Sequence, residues 1–143
     1  MPSPDVVVHT DGASLGNPGP CGWAAVFINQ RTGEIRTEWG PAGFGTNNYA
    51  EVWAIWNAVL LVPGRSKALI VTDSENAWHW CRNGPKSTTP PRIRAILKDI
   101  GDEMVRSSLL LTFDWVKGHS GLRYNEQADR LARAGAKRQR DSR

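Results

Sequence analysis

The chain has 143 residues, of which 40% are hydrophobic and 22% charged, a composition typical of a globular protein and not of a disordered or fibrous one. No apolar run approaches the roughly 20 residues that cross a bilayer, and the start lacks a basic segment followed by an apolar one, so we expect a cytoplasmic protein without a membrane partner. We expect one domain over residues 1–143, with part of its net charge of +4 concentrated in a basic tail at about residues 137–143.

The first part of the chain predicts three strands in succession. The predicted strands are residues 5–10, 23–29 and 34–40. The first is rich in β-branched side chains and ends at the turn signal Asp11-Gly12. Residues 13–22 carry several glycines and prolines and predict irregular structure, as do residues 41–48. A turn at residues 31–33 joins the second strand to the third, so the three strands are expected to form an antiparallel meander.

The rest of the chain alternates helices with two further strands. Helices are predicted over residues 49–62, 75–81, about 91–105 and about 124–136, and strands over residues 67–72 and 109–116. Pro63 ends the first helix, and Ser74 is a candidate N-cap for the second. A single mixed sheet with helices packed on its faces accommodates this order of elements.

Four acidic residues lie near or within otherwise apolar segments. Asp11 and Asp73 each follow an apolar strand, Glu51 lies one turn inside the first helix, and Asp129 lies on the last helix. If the two strands are parallel neighbours, their carboxyl ends place Asp11 and Asp73 side by side. An unpaired buried carboxylate costs several kcal/mol, so this placement requires an explanation.

Two explanations are open at this point. Each acid could pair with a lysine or arginine, or several could share a divalent metal ion. Carboxylate oxygens favour Mg²⁺ or Mn²⁺, and the two cysteines, Cys21 and Cys81, have no zinc-ligand spacing and are interpreted as reduced thiols. The spacing of the acids alone does not decide between ion pairs and a metal site.

Four blocks of the sequence resemble the motifs of the ribonuclease HI family. They are TDGASLGNPGPCGWAAV, TNNYAE, VTDSE and WVKGHSGLRYNEQADRLAR. The blocks occur in the family's order and together span most of the chain. The resemblance implies an α/β ribonuclease H-like fold, with a five-stranded mixed sheet of three antiparallel and then two parallel strands, flanked by helices.

The resemblance also implies the chemistry. Asp11, Glu51, Asp73 and Asp129 match the family's four metal-binding acids, which implies catalysis by two Mg²⁺ ions, with Mn²⁺ as a substitute. His119, in the KGHSG segment, is implied to assist proton transfer or product departure. The implied reaction is endonucleolytic hydrolysis of the RNA strand of an RNA·DNA hybrid, leaving 5′-phosphate and 3′-hydroxyl ends. We expect the protein to act as a monomer.

Substrate contacts are expected around the start of the first helix. The wide minor groove of a hybrid displays the RNA 2′-hydroxyl, and amide side chains offer both a donor and an acceptor to it. By the resemblance, Asn17, Asn47 and Asn48 contact the groove and strand backbones, and Thr46 helps to hold a phosphate of the DNA strand. Asn47 and Asn48 could also cap the helix, and the two roles are compatible.

The chain departs from the better-known bacterial pattern in two places. Many relatives carry an extra helix and a Lys-rich loop where this chain has only residues 83–91, and we hypothesise that the tail at residues 137–143 partly substitutes. Glu75 occupies a position where a neutral residue is common. Its charge could repel phosphate or serve as an outer-sphere metal contact. Of seven tryptophans, Trp78 and Trp80 are candidates for a nucleic-acid-facing edge.

Three other functions fit the sequence less well than a ribonuclease H. An integrase or proofreading exonuclease on the same fold would share the acids but gives no reason for the GNPGP, TNN and KGHSG segments. A non-catalytic hybrid-binding module would be expected to have lost at least one acid, and none is missing. A purely structural interaction domain would not need the four acids.

Overall fold

A computed structural model describes residues 3–118 and 123–142. Five strands lie in these ranges: β1 (Val6–Ser14), β2 (Gly19–Asn29), β3 (Ile35–Gly45), β4 (Lys67–Thr72) and β5 (Leu110–Trp115). The helices of the same ranges are α1 (Asn47–Leu61), α2 (Glu75–Asn83), α3 (Pro91–Arg106) and α4 (Arg123–Asp141). None of these helices is long and apolar enough to cross a membrane.

The strands form one mixed sheet in the order β3-β2-β1-β4-β5. The pairs β3·β2 and β2·β1 are antiparallel, whereas β1·β4 and β4·β5 are parallel. The predicted fold class is therefore confirmed. The parallel ladder of β1 with β4 ends at the pair Thr10 and Thr72. Asp11, which still pairs with Ala24 of β2, and Asp73, which follows β4, both lie at that end of the ladder.

Helices cover both faces of the sheet. On one face α1, α2 and α3 bury the larger apolar cluster, which includes Val8, Ile55 and Ile70. On the other face α4 packs Ala128 and Ala132 against Ala24 and Val26 of β2. Small residues allow this close packing.

The contact between α4 and the sheet is made largely of backbone. A Cβ atom added to Gly22 of β2 would lie 2.1 Å from the backbone nitrogen of Ala136, and one added to Gly135 would lie 2.2 Å from the carbonyl oxygen of Gly40. Neither position has room for a side chain. These glycines fix the height of α4 above β2 and β3.

Two segments predicted as irregular are instead strand. β1 continues to Ser14 and β2 begins at Gly19, with Ser14 paired to Cys21, so the irregular part of residues 13–22 shrinks to the turn between the strands. β3 continues through Pro41 to Gly45 because it is an edge strand, where a proline without an N–H is tolerated.

The basic tail is also more ordered than predicted. Helix α4 extends to Asp141, beyond the predicted end near residue 136. The Arg138 guanidinium lies 4.4 Å from the centre of the Trp39 ring, and Oε1 of Gln139 accepts a hydrogen bond from the Gly43 N–H at 2.9 Å. These contacts with β3 hold the end of α4 in place.

Candidate metal centre

Three of the four predicted acids meet at the end of the parallel ladder between β1 and β4. Asp11, Glu51 and Asp73 each offer one carboxylate oxygen, and these oxygens lie within 4.8 Å of one another. Parallel pairing of β1 with β4 brings Asp11 and Asp73 together, as the strand pattern predicted. Asp11 is only 3% exposed, and the other two acids are partly buried.

Gly12 explains how Glu51 reaches the other two acids. A Cβ atom at Gly12 would lie 2.2 Å from the carbonyl carbon and oxygen of Ala50, so β1 and α1 touch backbone to backbone there. The Gly12 N–H donates a hydrogen bond to Oε1 of Glu51 at 2.7 Å and is also 3.0 Å from Oδ1 of Asp11. Thr46, whose Oγ1 accepts from the Tyr49 N–H at 3.1 Å, is the N-cap that sets where α1 begins.

The cluster is strongly electronegative. Burial, followed by the nearby charge of Asp73, raises the pKa of Asp11 to about 8. Burial also raises the pKa of Glu51 well above its ordinary value, with Asp11 and Asp73 adding to the effect. Oδ1 of Asp73 is buried and has no hydrogen-bond partner among the described residues. Three acids in this setting repel one another unless protons or cations neutralise them.

Asp129 lies at the margin of the cluster. Its carboxylate is near enough to Asp11 to contribute to the raised pKa of that residue. Its own Oδ2, however, is 3.3 Å from Nη2 of Arg133, one turn further along α4, and the side chain is 31% exposed. The sequence predicted four acids in one site; the structure groups three and places the fourth beside them with an arginine. Such an exposed pair contributes little stability.

A divalent cation suits the three grouped acids. Within residues 3–118 and 123–142, no lysine or arginine forms an ion pair with Asp11, Glu51 or Asp73. Hard carboxylate oxygens are the ligands that Mg²⁺ and Mn²⁺ prefer. Oδ1 of Asp73 is buried without a hydrogen-bond partner among the described residues, and a bound cation would offset the cost of its burial. Of the two explanations left open by the sequence, ion pairing therefore applies, as far as the described residues go, to Asp129 and not to the other three acids.

Comparison with known proteins decides the family. A model of the RNase H family matches residues 3–137. The chain belongs to the ribonuclease H family. The ribonuclease H of Jannaschia sp. (strain CCS1) is 37% identical over 145 residues, which cover 92% of this chain and 91% of that protein. The prediction of a ribonuclease H enzyme is thereby confirmed.

Solved structures show the same fold. The N-terminal RNase H domain of a Mycobacterium tuberculosis protein, fused to maltose binding protein, has a TM-score of 0.78 at 24% identity, covering 96% of this chain and 97% of that one. LC11-RNase H1, solved in complex with an RNA/DNA hybrid, has a TM-score of 0.74 at 20% identity, with 93% and 97% covered. The ribonuclease H fold therefore extends over almost the whole chain.

The end of β5 and the segment that follows it contact Asp73 in this ribonuclease H. The Trp115 Nε1–H donates to the Asp73 carbonyl oxygen at 3.2 Å, and a Cβ at Gly118 would lie 3.4 Å from Oδ2 of Asp73. Neither residue was predicted to take part, although both lie in the WVKGHSG run that carries the family resemblance. His119 lies outside the described residues, and its role stays a prediction.

The four predicted substrate contacts lie around the start of α1. Oδ1 of Asn17 accepts from the Asn47 N–H at 3.0 Å, and Oδ1 of Asn47 accepts from the Ser14 N–H at 3.2 Å. Oδ1 of Asn48 accepts from Nδ2 of Asn76 on α2 at 3.3 Å. The N-cap of α1 is Thr46, so the predicted capping role of Asn47 and Asn48 is wrong. In this ribonuclease H the amide oxygens of the three asparagines thus join the start of α1 to the turn after β1, to β1 itself and to α2.

Glu75 does not join the three grouped acids. Its carboxylate lies 3.7 Å from Nε2 of His79, one turn along α2, and is largely exposed. Trp78 donates from Nε1 to the Phe113 carbonyl at 3.0 Å and carries the Arg82 guanidinium 4.6 Å above its ring. Trp80 packs against the main core. The nucleic-acid-facing edge stays a prediction, now confined to Trp78.

The raised pKa values predict that metal-free protein loses stability as the pH rises. Asp11 ionises near 3.8 in the unfolded chain and at about 8 in the folded one, so the folded state binds more protons between these values. The free energy of unfolding therefore falls as the pH rises through that window, and Glu51 acts in the same direction. Thermal unfolding in EDTA from pH 5 to pH 9 measures the decline.

Bound Mg²⁺ should offset this loss. At pH 8 and about 100 times its Kd, an ion that binds only the folded state adds about 2.7 kcal/mol to the free energy of unfolding. Asp114→Asn, at an exposed acid of β5, is the matched control and should keep both the pH trend and the response to Mg²⁺. A flat pH profile of the wild-type protein in EDTA would contradict the prediction.

Proposed function

We propose that this ribonuclease H hydrolyses the RNA strand of RNA·DNA hybrids at the cluster formed by Asp11, Glu51 and Asp73. The observation that carries the proposal is that one oxygen of each carboxylate lies within 4.8 Å of the others, and that no lysine or arginine of the described residues pairs with them, in a chain of this family. LC11-RNase H1, which shares the fold, was solved with an RNA/DNA hybrid and supports the choice of substrate.

The proposed cofactor is a pair of Mg²⁺ ions, with Mn²⁺ as a substitute. Asp11, Glu51 and Asp73 would hold them, with Asp129 contributing from the margin of the cluster. When bound, such a pair supplies Lewis acidity that activates water and stabilises the leaving oxygen, which yields 5′-phosphate and 3′-hydroxyl ends. The raised pKa values of Asp11 and Glu51 support cation binding because a cation replaces the protons that these groups otherwise retain.

The protein's own groups orient the acids. The Gly12 N–H fixes Oε1 of Glu51, and Trp115 holds the backbone of Asp73, so two of the three carboxylates are positioned before substrate arrives. Such preorganisation lowers the entropic cost of reaching the reactive geometry. We assign proton transfer or product departure to His119, the residue after Gly118 in the sequence.

Recognition of RNA is assigned to the surface at the start of α1. Asn17 and Asn47 are exposed and use their amide oxygens to bind backbone N–H groups, and neither Nδ2 has a partner within the described part of the chain. These donors suit the 2′-hydroxyl and sugar oxygens of the minor groove. Asn48 is assigned to the same groove, and Thr46 to a phosphate of the DNA strand.

A cleavage assay tests the proposal. End-labelled RNA·DNA hybrid, double-stranded RNA and double-stranded DNA are each incubated with Mg²⁺, Mn²⁺ or EDTA. We expect cleavage of the RNA in the hybrid with either metal, none in EDTA, and little or none of the other duplexes. Products should carry 5′-phosphates, detected by ligation. Cleavage in EDTA, or equal cleavage of double-stranded DNA, would refute the proposal. Size-exclusion chromatography tests the expected monomer.

A further inference from the structure

The exposed face of α4 carries a row of cations. We call it the α4 basic stripe, and its members are Arg123, Arg130, Arg133, Lys137 and Arg140, all exposed. At 3.6 residues per turn these positions fall within roughly 100° of the helix circumference, and at 1.5 Å per residue they extend over about 25 Å. Glu126 is also exposed on this face, between Arg123 and Arg130, so the stripe is uninterrupted by acids from Arg130 to Arg140.

The stripe differs from the ordinary solvated helix face that α3 presents. In the second half of α3 two cations have acidic partners one turn away: Lys98 lies 2.8 Å from Asp102, and Arg106 lies 2.5 Å from Glu103. On α4 no acidic residue occurs between Arg130 and Arg140. In the described part of the chain, Arg133 pairs with Asp129 and Arg140 with its neighbour Asp141, whereas neither Arg130 nor Lys137 forms an ion pair.

This arrangement costs the free protein stability. Arg130 and Arg133 are three residues apart, Arg133 and Lys137 four, and Lys137 and Arg140 three, so each pair repels across one turn. Like-charge pairs at these spacings destabilise a helix. A polyanion bound along the stripe would attract these cations and offset their mutual repulsion.

The position of the stripe connects it to the metal centre. Arg133 is the ion-pair partner of Asp129, beside the three grouped acids. From there the stripe continues along α4 toward β3, where Arg138 on Trp39 and Gln139 on Gly43 fix the end of the helix. Arg133 thus places the middle of the stripe beside the three grouped acids, and the contacts with β3 fix the carboxyl end of the helix that carries it.

We propose that the α4 basic stripe binds phosphates of the nucleic-acid backbone outside the cleavage site. This rests on the proposed function, because it assigns the stripe to the same substrate. Duplex carries about one negative charge per 1.7 Å, so 25 Å of stripe faces ample phosphate. Such a contact depends on the phosphate charge and does not distinguish base sequence or RNA from DNA. It also extends the sequence-based hypothesis of a basic tail at residues 137–143 to a helical surface that begins at Arg123.

Salt-dependent binding of a triple variant tests the stripe. Arg130→Gln/Lys137→Gln/Arg140→Gln removes three charges, and Arg31→Gln/Arg65→Gln/Arg106→Gln removes three exposed charges elsewhere. Binding of long hybrid and of long double-stranded DNA is measured in EDTA at several salt concentrations. The stripe variant should bind both at least tenfold more weakly at low salt, with a slope of log K against log salt about 2 to 3 smaller in magnitude. The control should retain hybrid cleavage and the wild-type slope.

A charge-retaining variant separates charge from folding. Arg130→Lys/Lys137→Arg/Arg140→Lys should keep the wild-type slope, which supports a role for charge. Equal slopes for the wild type and the glutamine variant, or an equal loss in the charge-retaining variant, would overturn the proposal. The double-stranded DNA arm needs no cleavage, so failure of the stripe is distinguishable from failure of the proposed function, which shows as wild-type protein that does not cut hybrid.

Discussion

Asp11→Asn is expected to reduce hybrid cleavage by roughly 1,000-fold or more while the protein stays folded. The substitution removes one charged oxygen ligand from the most buried of the three grouped acids. It preserves an acceptor for the Gly12 N–H, which lies 3.0 Å from Oδ1 of Asp11. Because the lost charge is repelled by Asp73, metal-free protein at pH 8 should unfold at the same or a higher temperature.

Two measurements complete this test. Cleavage rates with Mg²⁺ give the loss of activity, and thermal unfolding with and without Mg²⁺ at pH 8 gives the loss of ion binding. Wild-type protein should be stabilised by the ion and Asp11→Asn much less so. Asp114→Asn serves again as the control and should keep wild-type cleavage. A markedly lower unfolding temperature for metal-free Asp11→Asn would instead assign Asp11 a structural role.

Gly12→Ala should give the largest loss of stability among single methyl additions near the site. The new Cβ would lie 2.2 Å from the carbonyl carbon and oxygen of Ala50 and 2.4 Å from the Glu51 nitrogen, all backbone atoms that cannot turn aside. Strand β1 and helix α1 must move apart, at a cost of about 3 kcal/mol or more in the free energy of unfolding. The same movement withdraws Glu51, so cleavage should fall together with stability.

Gly101→Ala is the matched control. Gly101 lies on the exposed side of α3, and an added Cβ meets nothing within 4 Å. The substitution should raise the free energy of unfolding by about 0.5–1 kcal/mol, because alanine is the better helix former. Denaturant unfolding of both variants gives the comparison. If Gly12→Ala is as stable as the wild type and binds Mg²⁺ equally well, the close contact between β1 and α1 is wrong.

The sequence predicts the metal centre in part, and particular residues show why. Adjacency of Asp11 and Asp73 follows from apolar strands that end in acids, since parallel neighbours share a carboxyl edge. The approach of Glu51 depends on the backbone contact at Gly12, which no periodicity encodes. Asp129 and Arg133 lie four residues apart, but this spacing alone does not decide whether Asp129 contacts the arginine or the other acids.

The fold shows the same division between local and tertiary information. Order and type of the elements follow from apolar patterns and turn residues. The extension of β3 through Pro41 depends on its place at the sheet edge, which is set by pairing with β2. The last turns of α4 depend on Trp39 and Gly43, far away in the sequence. Local propensity therefore underestimates the lengths of β3 and α4.

The parallel pairing of β1 with β4 has a consequence for the newly synthesised chain. Asp11 is made early, but Asp73 joins it only after α1 and β4 have been synthesised and the crossover has closed. Until then the ion ligands are far apart, and the chain has no place to assemble its cofactor. We therefore expect a ribosome-bound fragment that ends before β4 to have no cleavage activity.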